Sequence, residues 1–277
     1  METLKESLVS AFRTIEKRYE EQGDGLNTGV AALNLACGCG LRAGTAIAVV
    51  SRHGAGLRSL ACDVAKGFAQ LRGGVIWFSR TLSAEEIALR LLVQKTKVLP
   101  YAIAIGHLVE NDFVRLAATA GELQHLKIGV VDISRGEQGE DQVRLAVTQA
   151  ESPVSLVINE GAAPWAQRVA RDLSVVVLAL QRAGGIQDPS EVDLIIELER
   201  RGCNGSFTTT YNRNGPTGAV PLVFCEDYLT FIPPRQPQKP KAVRKLRKKK
   251  LLENSDQILL GLEDVTAPVK RRSRRKG

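Results

Sequence analysis

No stretch of this sequence approaches the roughly 18 uninterrupted apolar residues that a membrane-spanning helix needs. The opening segment, METLKESLVSAFRTIEKRYEEQ, carries charge throughout and has no apolar centre. That is not the pattern of a signal or transit peptide, and it points to a cytoplasmic protein. Histidine is scarce and scattered, at His53, His107 and His125, and the five cysteines form no paired C-x-x-C array. Neither a metal centre nor a disulfide framework is therefore expected. Cys37, Cys39, Cys62, Cys203 and Cys225 read instead as small apolar fillers in a reduced compartment. Net positive charge is missing from most of the chain as well. The total is +8, yet residues 235–277 hold 15 Lys/Arg against 4 Asp/Glu, so the remainder carries 23 against 26, a net −3. Attraction to nucleic acid must then come from the tail or from a local patch.

What is present is enough apolar material for one core. With 44% hydrophobic residues, the 277-residue chain accommodates one domain of about 210 residues once its ends are set aside. Leu4, Leu8, Phe12, Ile15 and Tyr19 recur every three or four residues, an apolar seam along a helix whose other faces are charged. A seam this narrow either packs on an adjacent subunit or folds back on its own domain. TAIAVV (45–50), GVIWFS (74–79), KIGVVD (127–132), VSLVIN (154–159) and SVVVLAL (174–180) are nearly continuous apolar runs, as expected of strands buried on both faces. Between them Leu57, Leu60, Ala61, Val64 and Phe68, then Ala84, Ile87, Ala88 and Leu91, keep helical spacing. The alternation predicts an α/β fold with a mostly parallel central sheet. VDLIIELER (192–200), SFTTTYNR (206–213) and AVPLVF (219–224) follow without helices and read as consecutive antiparallel strands. After Pro233 and Pro234 the composition becomes that of a disordered basic tail. Its stretch from Ile258 to Val265 reads as a peptide that folds on a partner or as an acidic spacer.

The segment VVSRHGAGLRSLA (49–61) follows a strand and opens a helix, the place of a phosphate loop. Such a loop needs backbone amides around the phosphates, a lysine on the β- and γ-phosphates and a Ser/Thr hydroxyl on magnesium. Gly54 and Gly56 keep the tight turn, while Leu57 stands at the lysine position and Arg58 at the hydroxyl position. Residues 212–218, Asn-Arg-Asn-Gly-Pro-Thr-Gly, are more particular than a generic hairpin turn. With GLNTGVAALN (25–34) and WFSRTLSAEEIALRLL (77–92), these segments resemble the C-terminal RecA-like motor domain of DnaB-type hexameric replicative helicases, over roughly residues 1–232.

The resemblance implies a RecA-like P-loop fold with helices on both faces of the sheet and antiparallel C-terminal strands. It also implies a linker-type amphipathic helix over 1–24, a motor domain over 25–232 and a basic tail over 233–277, beginning at the linker with no collar. By the same resemblance Gln181 is the γ-phosphate sensor. Arg213 is a basic finger for the neighbouring subunit's nucleotide, with Tyr211 replacing a second basic residue. The family's water-activating glutamate falls where Thr81 stands, and its magnesium-positioning aspartate where Asn159 stands, beside Glu160. Four functional positions, Leu57, Arg58, Thr81 and Asn159, thus depart from the pattern. Magnesium is not expected, and any ATP or ADP is held weakly, through Gly54, Gly56, Arg58, Ser59 and Gln181.

Where such helicases carry long channel loops, only EGAAPWAQRVARDL (160–173) remains. Its Trp165, Arg168 and Arg171 read as a small stacking and phosphate patch or as one face of a solvated helix. Arg244, Lys245, Arg247, Lys248, Lys249, Lys250, Arg271, Arg272, Arg274 and Arg275 are the expected contacts to nucleic acid, mainly single-stranded DNA. The expected function is a catalytically degenerate component of DNA replication or repair that binds nucleic acid, DnaB-type helicase subunits or copies of itself. One alternative is an active ATP-dependent DNA helicase or DNA-stimulated ATPase using Arg58, with Glu160 or Glu85 acting on water. Another is an accessory scaffold whose tail supplies the affinity.

Overall fold

Periodicity in the sequence becomes alternation in space. The computed structural model describes residues 3–20, 27–38, 41–71, 73–134, 136, 139–184 and 188–232; the basic tail with Arg244 through Arg275, and Cys39, lie outside them. Helix α1 (Leu4–Glu20) comes first. Phe12 is the least accessible of its five seam residues and is still 39% exposed, so α1 does not fold its apolar side onto the domain. Then follow α2 (Ala31–Ala36), β1 (Ala46–Ser51), α3 (Leu57–Leu71), β2 (Gly74–Ser79), α4 (Ala84–Thr96), α5 (Pro100–Ala104) and α6 (Glu110–Leu123). The parallel series continues with β3 (Ile128–Asp132), α7 (Glu140–Thr148), β4 (Val154–Glu160), α8 (Ala166–Leu173) and β5 (Val176–Arg182). Four strands close the domain: β6 (Leu194–Arg201), β7 (Asn204–Asn212), β8 (Gly218–Cys225) and β9 (Thr230–Ile232).

They form one sheet of nine strands in the order β3-β2-β4-β5-β1-β6-β7-β8-β9. Pairing is parallel from β3 across to β6 and antiparallel from β6 to β9. The three runs expected as consecutive antiparallel strands pair in that way, and the first of them, β6, additionally lies parallel to β1. Successive strand residues face opposite sides, which is why the central runs are continuously apolar. Ile47, Val49, Trp77, Leu156, Ile158 and Leu178 share one core with residues of α2, α3 and α4. Ala46, Ala48, Phe78, Val157, Val177 and Ala179 share the other with residues of α7 and α8. Burying each large apolar side chain contributes roughly 1.5–3 kcal/mol.

KIGVVD differs from the expectation of burial on both faces. As β3 it is an edge strand paired only with β2, and Gly129, Val131 and Asp132 are exposed. Apolar content marks a strand without telling centre from edge.

Two local devices set up the end of the sheet where the strands point. Gly29 adopts φ +78°, and a Cβ on Gly67 of α3 would lie 2.7 Å from the Thr28 carbonyl, so the Thr-Gly entry packs its backbone directly on α3. At the start of α4 the Ser83 hydroxyl accepts from the Glu86 N–H (3.1 Å) while the Ser83 N–H donates to the Glu86 carboxylate (2.8 Å), a reciprocal cap. This fixes Ser79 to Leu82 as a tight exit from β2. No helix among the described residues is long and apolar enough to cross a membrane.

Candidate functional site

Between β1 and α3 the chain makes a glycine turn. Gly54 and Gly56 take φ of +82° and +100°, a region that favours glycine. A Cβ on Gly56 would lie 3.2 Å from Phe231 Cζ and 3.4 Å from Phe224 Cε2, so the turn rests on the aromatic side chains of β8 and β9. Arg200 closes it from the side, donating to the Gly54 carbonyl (2.8 Å) and pairing with Glu226 (3.0 Å) while lying 4.4 Å over the Phe224 ring. Behind the turn the Asp63 carboxylate of α3 accepts from the Thr230 hydroxyl (3.0 Å), the Phe231 N–H (3.1 Å) and Lys66 (3.1 Å), latching β9 to α3. Burial pushes the Asp63 carboxyl up, partly offset by Lys66.

The side chains on this turn do not form a lysine loop. Leu57 packs partly buried against the core. Arg58, one residue on, donates from Nε to the Thr81 hydroxyl (2.8 Å), and Thr81 donates onward to Glu160 Oε2 (2.8 Å). Arg58 Nε itself lies 3.9 Å from that carboxylate oxygen. Glu160, at the end of β4 and only 8% exposed, also accepts from Trp77 Nε1 (3.3 Å), the Ser79 hydroxyl (3.4 Å) and the Arg80 N–H (3.3 Å). Asn159 turns its amide N–H groups to the carbonyls of Gly161 and Ala162 (both 3.3 Å). Ser59 and Gln181 are buried at the rim. Glu85 stays exposed on α4 and is not among the residues lining the cavity described next.

These residues line a cavity of about 630 Å³ at the carboxyl ends of the parallel strands, which is where open α/β sheets bind ligands. Its charge is strongly one-sided. Arg52, Arg58, Arg80, Arg90, Arg182 and Arg200 line it against a single carboxylate, Glu160. Sequence reading singled out only Arg58 of these six, although a signal was present: β1, β2 and β5 finish Ser-Arg, Ser-Arg and Gln-Arg.

The other sequence candidates lie elsewhere. Leu194 pairs both with Ile47, near the start of β1, and with Asn212. The Asn212–Gly218 turn therefore sits at the amino end of the parallel strands, while the glycine turn leaves their carboxyl end. At roughly 3.3 Å per residue, nearly a strand's length separates Arg213 from the glycine turn. Arg213 lies 3.6 Å from the buried Asp193 carboxylate, which also accepts from the Ala46 N–H (3.0 Å), Gln167 (3.0 Å) and Arg171 (3.4 Å). Trp165, Arg168 and Arg171 do not form a stacking patch. Trp165 is 4% exposed, Arg168 pairs with Glu140 (2.7 Å) and Arg171 with Asp193 (3.4 Å), so packing and carboxylates already occupy what a nucleic acid would need. Burial pushes the thiols of Cys37 and Cys62 up to about 12, in keeping with apolar fillers.

Known proteins resemble this chain in sequence and fold. Residues 25–158 match the family described as DnaB-like helicase C terminal domain. The replicative DNA helicase DnaB of Treponema pallidum (strain Nichols) is 24% identical, with 83% of this chain and 61% of the helicase covered. The replicative DNA helicase DnaC of Bacillus subtilis (strain 168) is 22% identical, with 83% and 62% covered. The chain spans about three-fifths of the length of these two relatives. Among solved structures, the ATPase domain of G40P superposes with a TM-score of 0.72 at 20% identity, covering 84% of this chain and 99% of that one. A DnaB-like replicative helicase solved in a study of its interactions with primase superposes with a TM-score of 0.70, covering 84% and 67%. The RecA-like sheet, the glycine turn at its carboxyl end and these matches agree: over residues 25–158 the chain is similar to the DnaB-like helicase C-terminal domain family, and its fold is that of the helicase ATPase domains.

Proposed function

We propose that this chain is a non-hydrolysing DnaB-like component of DNA replication or repair, acting beside helicase subunits or copies of itself. The observation that carries this reading is the Arg58–Thr81–Glu160 chain of hydrogen bonds. It puts a fixed cation where phosphoryl transfer needs a metal-binding hydroxyl, and it engages the nearest carboxylate with four neighbouring donors. Removing one preorganised charge-stabilising group typically costs about 2.7–4 kcal/mol of transition-state stabilisation. Four altered positions therefore leave little turnover, even though such losses do not add.

Two surfaces support assembly. The α1 seam is exposed, and an apolar groove of about 370 Å³ between α4, α6 and β3, lined by Ile87, Leu91, Leu123, Leu126 and Val130 among others, suits the seam of a second subunit. Arg213 sits beyond reach of its own loop and is suited to a neighbour's in a head-to-tail ring. Affinity for nucleic acid is assigned to the tail, whose net +11 contrasts with the acidic remainder.

Mixing the chain with an intact DnaB-type helicase of its own host, and following sedimentation together with ATP turnover, tests this. A mixed complex or a self-assembled ring is expected, with no turnover by the chain alone. A strictly monomeric chain that ignores the helicase would remove the assembly proposal, and a mixed complex whose turnover is indifferent to Arg213→Ala would remove the finger.

A further inference from the structure

Magnesium does not fit the residues of the cavity. The ion takes near-octahedral oxygen ligands at 2.0–2.1 Å and in phosphate sites is held by carboxylate or hydroxyl groups alongside the phosphates. The groups at the positions where the metal would be held, Arg58, Thr81 and Asn159 with neighbouring Glu160, are engaged otherwise. The hydroxyl position carries the Arg58 guanidinium. Thr81 Oγ1 accepts from Arg58 and donates to Glu160 (2.8 Å each), and Glu160 Oε2 has Arg58 Nε only 3.9 Å away. A metal ion on either oxygen would press like charge against a guanidinium that cannot lose its proton. Asn159 is neutral, and its N–H groups are spent on the carbonyls of Gly161 and Ala162. Among the described residues no group of three His, Cys, Asp or Glu is placed to hold a metal ion.

The same cavity is well made for anions. Its six arginines reach it from six different elements or their ends: Arg52 after β1, Arg58 on α3, Arg80 after β2, Arg182 at the end of β5, Arg90 on α4 and Arg200 on β6. Arg52, Arg90 and Arg182 have no carboxylate partner among the described residues. The glycine turn points at the same space from the N-terminus of α3, a 15-residue helix whose dipole favours negative charge there. A domain that is acidic outside its tail thus concentrates positive charge in one concavity, and such a concavity focuses the field on a small anion.

We infer that this cavity binds a phosphoanhydride chain, as in a nucleoside triphosphate or inorganic tripolyphosphate, without a divalent cation, the Arg58 guanidinium standing where the metal would be. The inference deepens the reading of a non-hydrolysing site and rests on it. Guanidinium groups engage phosphate oxygens through paired N–H donors. A metal-free triphosphate carries more negative charge than its magnesium complex and is the better counterion for six arginines. Magnesium is therefore a competitor of the site.

Calorimetric titration of the full chain with ATP and with tripolyphosphate, each in EDTA and in excess magnesium, tests this. Binding in EDTA is expected, weakened about tenfold or more by magnesium. Equal affinity for the two ligands supports a site that reads the phosphate chain alone, and tighter ATP binding supports one that also reads the nucleoside. Arg58→Ala is expected to lower affinity in EDTA about tenfold or more. Because that change also removes the donor to Thr81 and the cation beside Glu160, Arg52→Gln with Arg182→Gln, at exposed positions without carboxylate partners, provides a second variant that leaves folding intact and is expected to fall similarly. Binding only with magnesium, no binding under either condition, or binding in EDTA indifferent to both variants would overturn the inference. Phosphate release followed in the same samples separates the two levels. Magnesium-dependent binding without release sinks the metal-free site alone, while release sinks the non-hydrolysing reading with it.

Discussion

The Gly54–Gly56 turn and the Asn212–Gly218 turn stand at opposite ends of the same parallel strands and are maintained by opposite means. At the loop the backbone is fixed by packing, with Gly56 against Phe224 and Phe231 and Arg200 on the Gly54 carbonyl. Its side chains include Leu57, packed partly buried against the core, and Arg58, which donates to Thr81. At the turn the basic side chain is present, and it is tethered by one buried carboxylate, Asp193, rather than enclosed by packing. Loop shape and loop chemistry are therefore separable.

The sharpest way to break this contrast is at Asp193. Replacing it with Ala leaves Arg213, Arg171, Gln167 and the Ala46 N–H without their shared acceptor, and since a hydrogen bond to a charged group contributes about 1.5–3 kcal/mol, losing an acceptor shared by several donors should cost about 3 kcal/mol or more. Urea unfolding should show a loss of that size. A loss below about 1 kcal/mol would mean that the turn end is not organised by this carboxylate.

A smaller effect is expected at the loop. Gly56→Ala places a Cβ against Phe231 at φ +100°, for about 1–3 kcal/mol. Gly54→Ala, at φ +82° with nothing within 4 Å of the new Cβ, should cost only the left-handed strain of about 1–2 kcal/mol. Equal costs at the two glycines would show that aromatic packing does not shape the loop.

Smallest is the pH dependence of the latch behind the loop. Asp63 has a carboxyl raised from 3.8 by burial, so the folded state binds this proton more tightly than the unfolded chain. Its contribution favours folding below the ordinary aspartate range and is lost as pH climbs through the raised value. The stability of the unmodified chain relative to Asp63→Asn should therefore fall as pH rises from the ordinary aspartate range through the raised value. A difference that is flat or rises with pH would contradict a desolvated Asp63.

The centre of the fold was legible in the sequence because β1, β2, β4 and β5 are buried on both faces and must be continuously apolar, and because α3 and α4 show one face to the core. The edge position of β3 was not, since its apolar run looks the same as theirs. Arg58 and the glycines were legible through the spacing of the loop. The rest of the arginine cluster was hidden because Arg52, Arg80, Arg182 and Arg200 come from separate strands or their ends and Arg90 from α4, and they meet only when the domain folds. The stacking patch failed for a related reason: helical spacing cannot show that Glu140 and Asp193, 28 and 22 residues away, neutralise Arg168 and Arg171.

The most direct measurement is single-turnover ATP hydrolysis with the chain in excess, with magnesium, in the presence and absence of single-stranded DNA, on the unmodified protein, Leu57→Lys and Arg58→Ala. No phosphate release above the protein-free rate is expected from any of the three, because a restored lysine still lacks ligands for magnesium and for the attacking water. DNA-stimulated release by the unmodified chain that disappears in Arg58→Ala would contradict this, and would make Arg58 the working cation of an active site.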